Sequence, residues 1–509
     1  MRVRRDAGRS AGLVAALLLC AIGPLAVRAQ PVADRPPGLH DGTPRWHALT
    51  EVRLVIAPGQ VIERGTLVLK DGLVAAAGAD VPVPAGARVW ALPGRTVYPG
   101  FIDLSTSVGV PAALRREPPA RPRWGLGAEL PPPRERPPAA AALVGRSIAA
   151  ANRFVRPEQS VAEQLEFKPE DLRAQRALGF TAVLAVPGTG VFRGQSALLA
   201  TGEPGEPGDL GTAKAQVIAA RAAQHLAFEV DRTERSDYPR SLMGAVALAR
   251  QTLLDARWYQ AASAAGGGER LPPDSSLQAL AAVLERRQPV IHHALDELDL
   301  ARAARLRAEF GLQMVLQGTG HEYRRAAWLK ASGLPVIVPL AFPEAPDVSD
   351  PDTAIDVPLQ LLQHWEQAPS NLALLERVGV PFAVTAAGLK DPAREFWPRL
   401  RQAVRRGLSP DRALAALTTQ PAALIGQSAR LGSLQPGRIA NVVVARGDLF
   451  TDAQAEPELV FVDGRPLPNE AFERGELRGR WQAEAPAEAF EIAGSAAAPA
   501  LRGGEPGPG

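Results

Sequence analysis

The stretch Tyr98-Pro99-Gly100-Phe101-Ile102-Asp103-Leu104-Ser105-Thr106-Ser107 decides how the rest of this chain is read. Aromatic and β-branched residues crowd the run from Val97 to Leu104, which predicts a buried strand. Directly after it, residues 111–141 are dense in proline and arginine and predict a loop. Further strand-like runs follow at 181–186, 289–293, 313–317, 334–339 and 381–385. Helix-like runs alternate with them at 162–177, 242–262, 277–287, 299–310 and 410–417. Pro410 follows Ser409, so the last of these starts with proline in its first turn and serine as its N-cap. Repeated β-then-α units imply a parallel sheet, and residues 98–432 have the length of a TIM-type (β/α)8 barrel with insertions. The 111–141 insertion leaves the C-terminal end of the first strand, so it belongs at the barrel mouth.

Outward from the barrel, both flanks turn to short β-type runs. On the N-terminal side they lie within 48–97, punctuated by Pro58-Gly59, Lys70-Asp71-Gly72 and Pro93-Gly94. On the C-terminal side they lie within 433–468, with Asp463-Gly464 as a turn. The two sets are expected to pair into one composite β-sandwich domain. The tail, 469–509, is rich in Ala, Gly, Pro and Glu and is expected to be disordered at its end.

The first 29 residues explain the charge. Arg2, Arg4, Arg5 and Arg9 precede an apolar stretch, Ala11 to Ala26, and then Val27-Arg28-Ala29. This is the layout of a signal peptide, with a linker over 30–47, so the mature chain is expected to be exported to the periplasm or beyond. The full chain has 57 basic and 54 acidic residues and a pI near 9.2. Without 1–29 it keeps 52 basic and 53 acidic residues and no cysteine. The basic excess therefore gives no ground for a nucleic-acid partner, and thiol catalysis is excluded. No other apolar run is long enough to cross a membrane.

Several strings resemble the amidohydrolase superfamily, in particular its secreted, imidazolonepropionase-like members. Tyr98 to Asp103 is similar to the first barrel strand of that family. ALAALTTQPAALIG, 413–426, followed by RLGSLQPG, 430–437, is similar to its C-terminal signature. The resemblance implies one or two divalent metals that activate water against a C–N bond. It also says which residues should hold them. The paired first-strand histidines are matched here by Ser105 and Ser107, the fifth-strand histidine by His293, the sixth-strand histidine by Gln317, and the eighth-strand aspartate by Ala386. Serine hydroxyls are poor ligands for a transition metal, and alanine cannot serve as a general base. The implied site is degenerate.

At the mouth, Asp103, His293, His321 and Glu322 remain as candidate catalytic residues, and zinc or another divalent metal is expected only if His321 and Glu322 rebuild a site with His293. Gly188-Thr189-Gly190 resembles a phosphate loop but lacks its spacing and reads as a turn. Three functions follow. The chain is a C–N hydrolase by resemblance, or a pseudoenzyme that binds a small molecule or supports a metal-competent paralogous amidohydrolase subunit. The third is a metal-independent hydrolase using His293 and loop carboxylates.

Overall fold

In the computed structural model the deciding stretch is two strands, Arg95–Pro99 and Phe101–Thr106, divided at Gly100. A side chain at Gly100 would collide with Thr181 Oγ1 and Asn441 Cβ, so glycine is what lets the backbone pass from one domain into the next. The barrel thus begins at Phe101 and not at residue 98. The structure describes residues 45–115, 152–203, 216–230, 238–265, 271–469, 472, 479–482, 489–495 and 498–502. The signal-peptide reading of 1–29, the linker up to residue 44 and the insertion from 116 onward lie outside the described residues. No helix among the described residues is long and apolar enough to cross a membrane.

The N-terminal strands are β1 (Trp46–Ala57), β2 (Gln60–Lys70), β3 (Leu73–Gly78), β4 (Arg88–Ala91) and β5 (Arg95–Pro99). The barrel strands are β6 (Phe101–Thr106), β7 (Phe180–Ala185), β8 (Phe192–Ala200), β9 (Val217–Leu226), β10 (Val290–His293), β11 (Met314–Gln317), β12 (Val336–Pro339) and β13 (Phe382–Thr385). After them come β14 (Val442–Arg446), β15 (Pro457–Val462) and β16 (Arg465–Pro468).

The expected composite domain is formed: β14 runs antiparallel to β5, with Val442 opposite Pro99 and Arg446 opposite Arg95. It is one hydrogen-bonded sheet, ordered β16-β15-β14-β5-β1-β2-β3 with β4 on β1, where two facing sheets were expected. Alternation along the strands supplies the reason. Leu54, Val97, Val442, Val444 and Phe461 build the sheet's own core. Their neighbours Val55, Tyr98, Val443, Ala445 and Val460 pack into the core of the barrel. Successive side chains on a strand point to opposite faces, so the barrel covers the face that a second sheet would have covered.

The barrel sheet keeps chain order from β6 to β13. The pairs β6–β7 and β9 through β13 are parallel, whereas β8 is antiparallel to both β7 and β9. The all-parallel (β/α)8 expectation is corrected at this one strand. Residues 186–191 are all that join β7 to β8, and a parallel return needs about a dozen. The Gly188-Thr189-Gly190 turn is therefore a hairpin connection. Inside the barrel, Ile102, Leu104, Ala182, Ile291, Val315 and Ile337 form one cluster. The outward residues Val290, Met314, Leu316 and Phe382 meet helix residues such as Leu300, Leu329, Leu375 and Phe396.

Helix boundaries follow their caps. Asp296 accepts from the backbone N–H of Leu298 and Asp299 to start Glu297–Phe310, and Gly311 at φ 68° ends it. Ser409 accepts from Arg412 N–H at 3.2 Å and starts Pro410–Leu417. By contrast, residues 342–367, between β12 and the next helix of the wall, contain not one buried residue among those described, although they include helices Pro351–Ile355 and Leu359–Gln367. The end of the tail, 503–509, where disorder was expected, lies outside the described residues. Before it, β17 (Gly479–Gln482), β18 (Ala489–Ser495) and β19 (Ala498–Arg502) form a three-stranded antiparallel sheet whose backbone groups pair in ladders.

Candidate functional site

The site forms where the barrel strands end at the mouth, and its first element is a seam. Among the described residues no ladder joins β6 to β13, the two ends of the barrel sheet. Asp103 bridges them. Its Oδ1 accepts from Thr385 Oγ1 at 2.5 Å and from Ser105 N–H at 2.9 Å, and its Oδ2 accepts from Ala386 N–H at 3.1 Å. Burial pushes the Asp103 carboxyl up to about 6, against the pull of its three donors. This candidate carboxylate is thus engaged in closing the barrel.

The second element is a histidine pair. His293, at the end of β10, lies with Nε2 2.8 Å from Nδ1 of His225 on β9. His225 is fully buried, and burial followed by the nearby Arg193 guanidinium pushes it down to about 3, so it is neutral. One imidazole donates and the other accepts, which fixes one proton between them. His225 Nε2 makes no hydrogen bond. Opposite His293 in the β10–β11 ladder stands Gln317, whose Oε1 is buried and makes no hydrogen bond either. Sequence reading missed His225 because it sits in an alanine-rich run, Ala219 to Leu226, that carries no strand signal of its own. The neighbouring His292 points to the other face against Phe228, with ring centroids 4.6 Å apart.

The remaining candidates are held elsewhere. Glu322 is buried, and its carboxylate is consumed by Thr319 N–H at 2.6 Å, Gly320 N–H at 3.0 Å and Asn371 Nδ2 at 2.6 Å. It clamps the loop after β11 to the helix beginning at Asn371. His321 stacks on His364 instead of approaching His293. The rebuilt metal site of His293, His321 and Glu322 is therefore not assembled. Gly190 N–H donates to Glu229 Oε2 at 3.1 Å, so a carboxylate sits where a phosphate loop would take its anion.

Do these residues suit a divalent metal? A zinc site needs three or four converging nitrogen, sulfur or carboxylate donors. Here Ser105 is half-buried, Ser107 is exposed, Ala386 offers no side-chain donor, and the two imidazoles spend their facing nitrogens on each other. Among the described residues no group of three or more His, Cys, Asp or Glu is placed to hold a metal ion. The donor set does not fit.

The described residues form a nearly closed barrel sheet walled by helices and joined to a sheet built from N-terminal and C-terminal strands. The sequence pattern of the Amidohydrolase family matches residues 369–467. An amidohydrolase from Thermotoga maritima MSB8 is 21% identical with a TM-score of 0.63, the match covering 83% of this chain and 100% of that one. A prolidase complexed with N-methylphosphonate-L-proline is 17% identical with a TM-score of 0.48, covering 84% and 100%. Phenylurea hydrolase B is 16% identical with a TM-score of 0.46, covering 85% and 99%. No curated protein matches the sequence. Residues 369–467 thus carry the Amidohydrolase family pattern, and the chain shares its fold with the Thermotoga maritima amidohydrolase.

Proposed function

We propose that this chain, once exported, is a pseudoenzyme: an amidohydrolase barrel whose mouth binds a small molecule and which does not itself hydrolyse a C–N bond with a metal. The observation that carries this reading is the closed His225–His293 pair at 2.8 Å, set beside serines, glutamine and alanine at the family's other ligand positions. Metal-assisted hydrolysis needs an ion that lowers the pKa of a bound water and a base that orients it. Neither need is met by hydroxyls and a methyl group. The reading leaves room for a metal-competent paralogous subunit as partner, which would supply the working half.

Elemental analysis of the purified chain tests it. The expected result is less than about 0.1 equivalent of zinc, manganese, iron or cobalt after dialysis against micromolar metal, a concentration at which catalytic sites load fully. Stoichiometric metal together with metal-dependent turnover of amide or imide substrates would overturn it.

A further inference from the structure

Residues 342–367 leave the barrel after β12, at the mouth, and return without burying a side chain among those described. Phe342 packs against the barrel core and its carbonyl accepts from Arg399 at 2.9 Å, which anchors the start of the segment, but beyond it Val348, Ile355 and Leu359 are 56%, 81% and 63% exposed. Its ion pairs, Glu366–Arg406 and Glu344–Lys390, are exposed and of a kind that contributes little. Toward the neighbouring mouth loop the segment makes an aromatic contact. The His364 ring lies on the His321 ring with centroids 3.7 Å apart and planes 14° from parallel. Tyr323 Oη lies 3.2 Å from His364 Nδ1, and Thr319 Oγ1 lies 3.4 Å from His321 Nδ1. His321, Tyr323 and Thr319 all belong to the neighbouring mouth loop, after β11.

We propose that residues 342–367 are a lid at the barrel mouth, latched to the β11 loop by the His321–His364 stack and released when these imidazoles take up protons. The inference stands whether or not the mouth binds a ligand. The charged and titratable groups acting on the stack are Arg324, Glu297, Glu322 and Tyr323; Glu366, two residues along the lid from His364, is paired with Arg406. Arg324 opposes a proton on either ring, and His321 opposes one on His364; Glu297 and Glu322 favour one on His321. Burial is the largest influence and acts against protonation of both, pushing His364 down to about 4 and His321 down as well. A released imidazole returns to its ordinary range near 6.5. The latch is therefore complete above about pH 6.5 and is lost as pH falls toward 4. Two protonated rings in this stack would also repel each other.

Hydrogen–deuterium exchange of the full chain at pH 7.5 and pH 4.5, corrected for intrinsic rates, reads the latch directly. Peptides within 342–367 are expected to lose about 10-fold in protection at the lower pH, while the wall helices 297–310 and 392–405 keep theirs. His364→Phe preserves a stacked ring and leaves only His321 to titrate, so its lid is expected to lose clearly less protection between the two pH values than the parent chain does. Arg324→Gln removes the cation beside the stack, so its transition is expected at higher pH than in the parent chain. Unchanged lid protection in the parent chain, an equal loss in His364→Phe, an unmoved transition in Arg324→Gln, or loss of the wall helices together with the lid would each overturn the proposal.

Discussion

Replacing Asp103 by alanine is expected to lower the unfolding free energy by about 4 kcal/mol, because three donors in a dry seam lose their acceptor together. Ser105 N–H, Ala386 N–H and Thr385 Oγ1 all converge on this one carboxylate, and Thr385 and Ala386 lie at the far end of the barrel sheet. Each buried donor left unsatisfied costs roughly 1–3 kcal/mol, and the three are too close together to add fully. Asp103→Asn keeps the shape and one oxygen but turns an amide N–H toward Ala386 N–H, so about 2 kcal/mol is expected. Chemical denaturation followed by circular dichroism measures both. Burial raises the Asp103 carboxyl to about 6, which also sets a pH dependence. The stability this group contributes is complete below its ordinary value near 3.9 and is lost as pH rises through about 6. The asparagine variant should flatten that slope; an unchanged slope would assign it to another group.

Arg401→Met is expected to cost about 3 kcal/mol and to open the connection between β14 and β15. Arg401 stands on the helix Pro392–Arg405 and is 6% exposed. Its guanidinium donates to the carbonyls of Leu449 at 2.9 Å, Ala453 at 3.0 Å and Ala455. A planar fork reaches three carbonyls at once; a methionine fills the volume and leaves them bare in apolar surroundings. Lysine restores the charge without the fork, so Arg401→Lys should recover less than half of the loss. Limited proteolysis provides the local readout. Cleavage within 447–456 should appear in the methionine variant under conditions where the parent chain is intact, and equal resistance would count against the assignment.

How much of this was written in the sequence depends on whether the signal is local. Pro410–Leu417 emerges with the expected ends because its cap and its proline are adjacent in the chain. Barrel strands such as β10 and β13 fall within a residue of expectation, since short apolar runs between turns leave little freedom. The hairpin β8–β9 was not legible: Ala219 to Ala223 reads as helix-forming, and only pairing with β8 and β10 makes it a strand. His225 escaped for the same reason, and His364 because nothing in a peripheral helix says which loop it will touch. Glu322 was singled out by its neighbours in sequence, yet its role as a clamp rests on Asn371, which only the fold brings near. The serines at 105 and 107 are read directly from the sequence, but that they stand at metal-ligand positions rests on the resemblance alone.

The ladder between β5 and β14 has a consequence for how the chain is made. Residues 95–99 find no neighbour on that side until residues 442–446 have been synthesised. A growing chain therefore carries an open strand edge, with Val97 and Tyr98 uncovered, for most of its translation. The barrel strands and helices can assemble meanwhile, but their outer wall stays bare beneath the missing sheet. A ribosome-bound fragment ending before residue 442 should consequently recruit chaperones, and one extended past the last sheet strand should not. Cutting the gene at the domain boundary would reproduce the same orphaned edge permanently, so the barrel is not a module that can be borrowed without both ends of its chain.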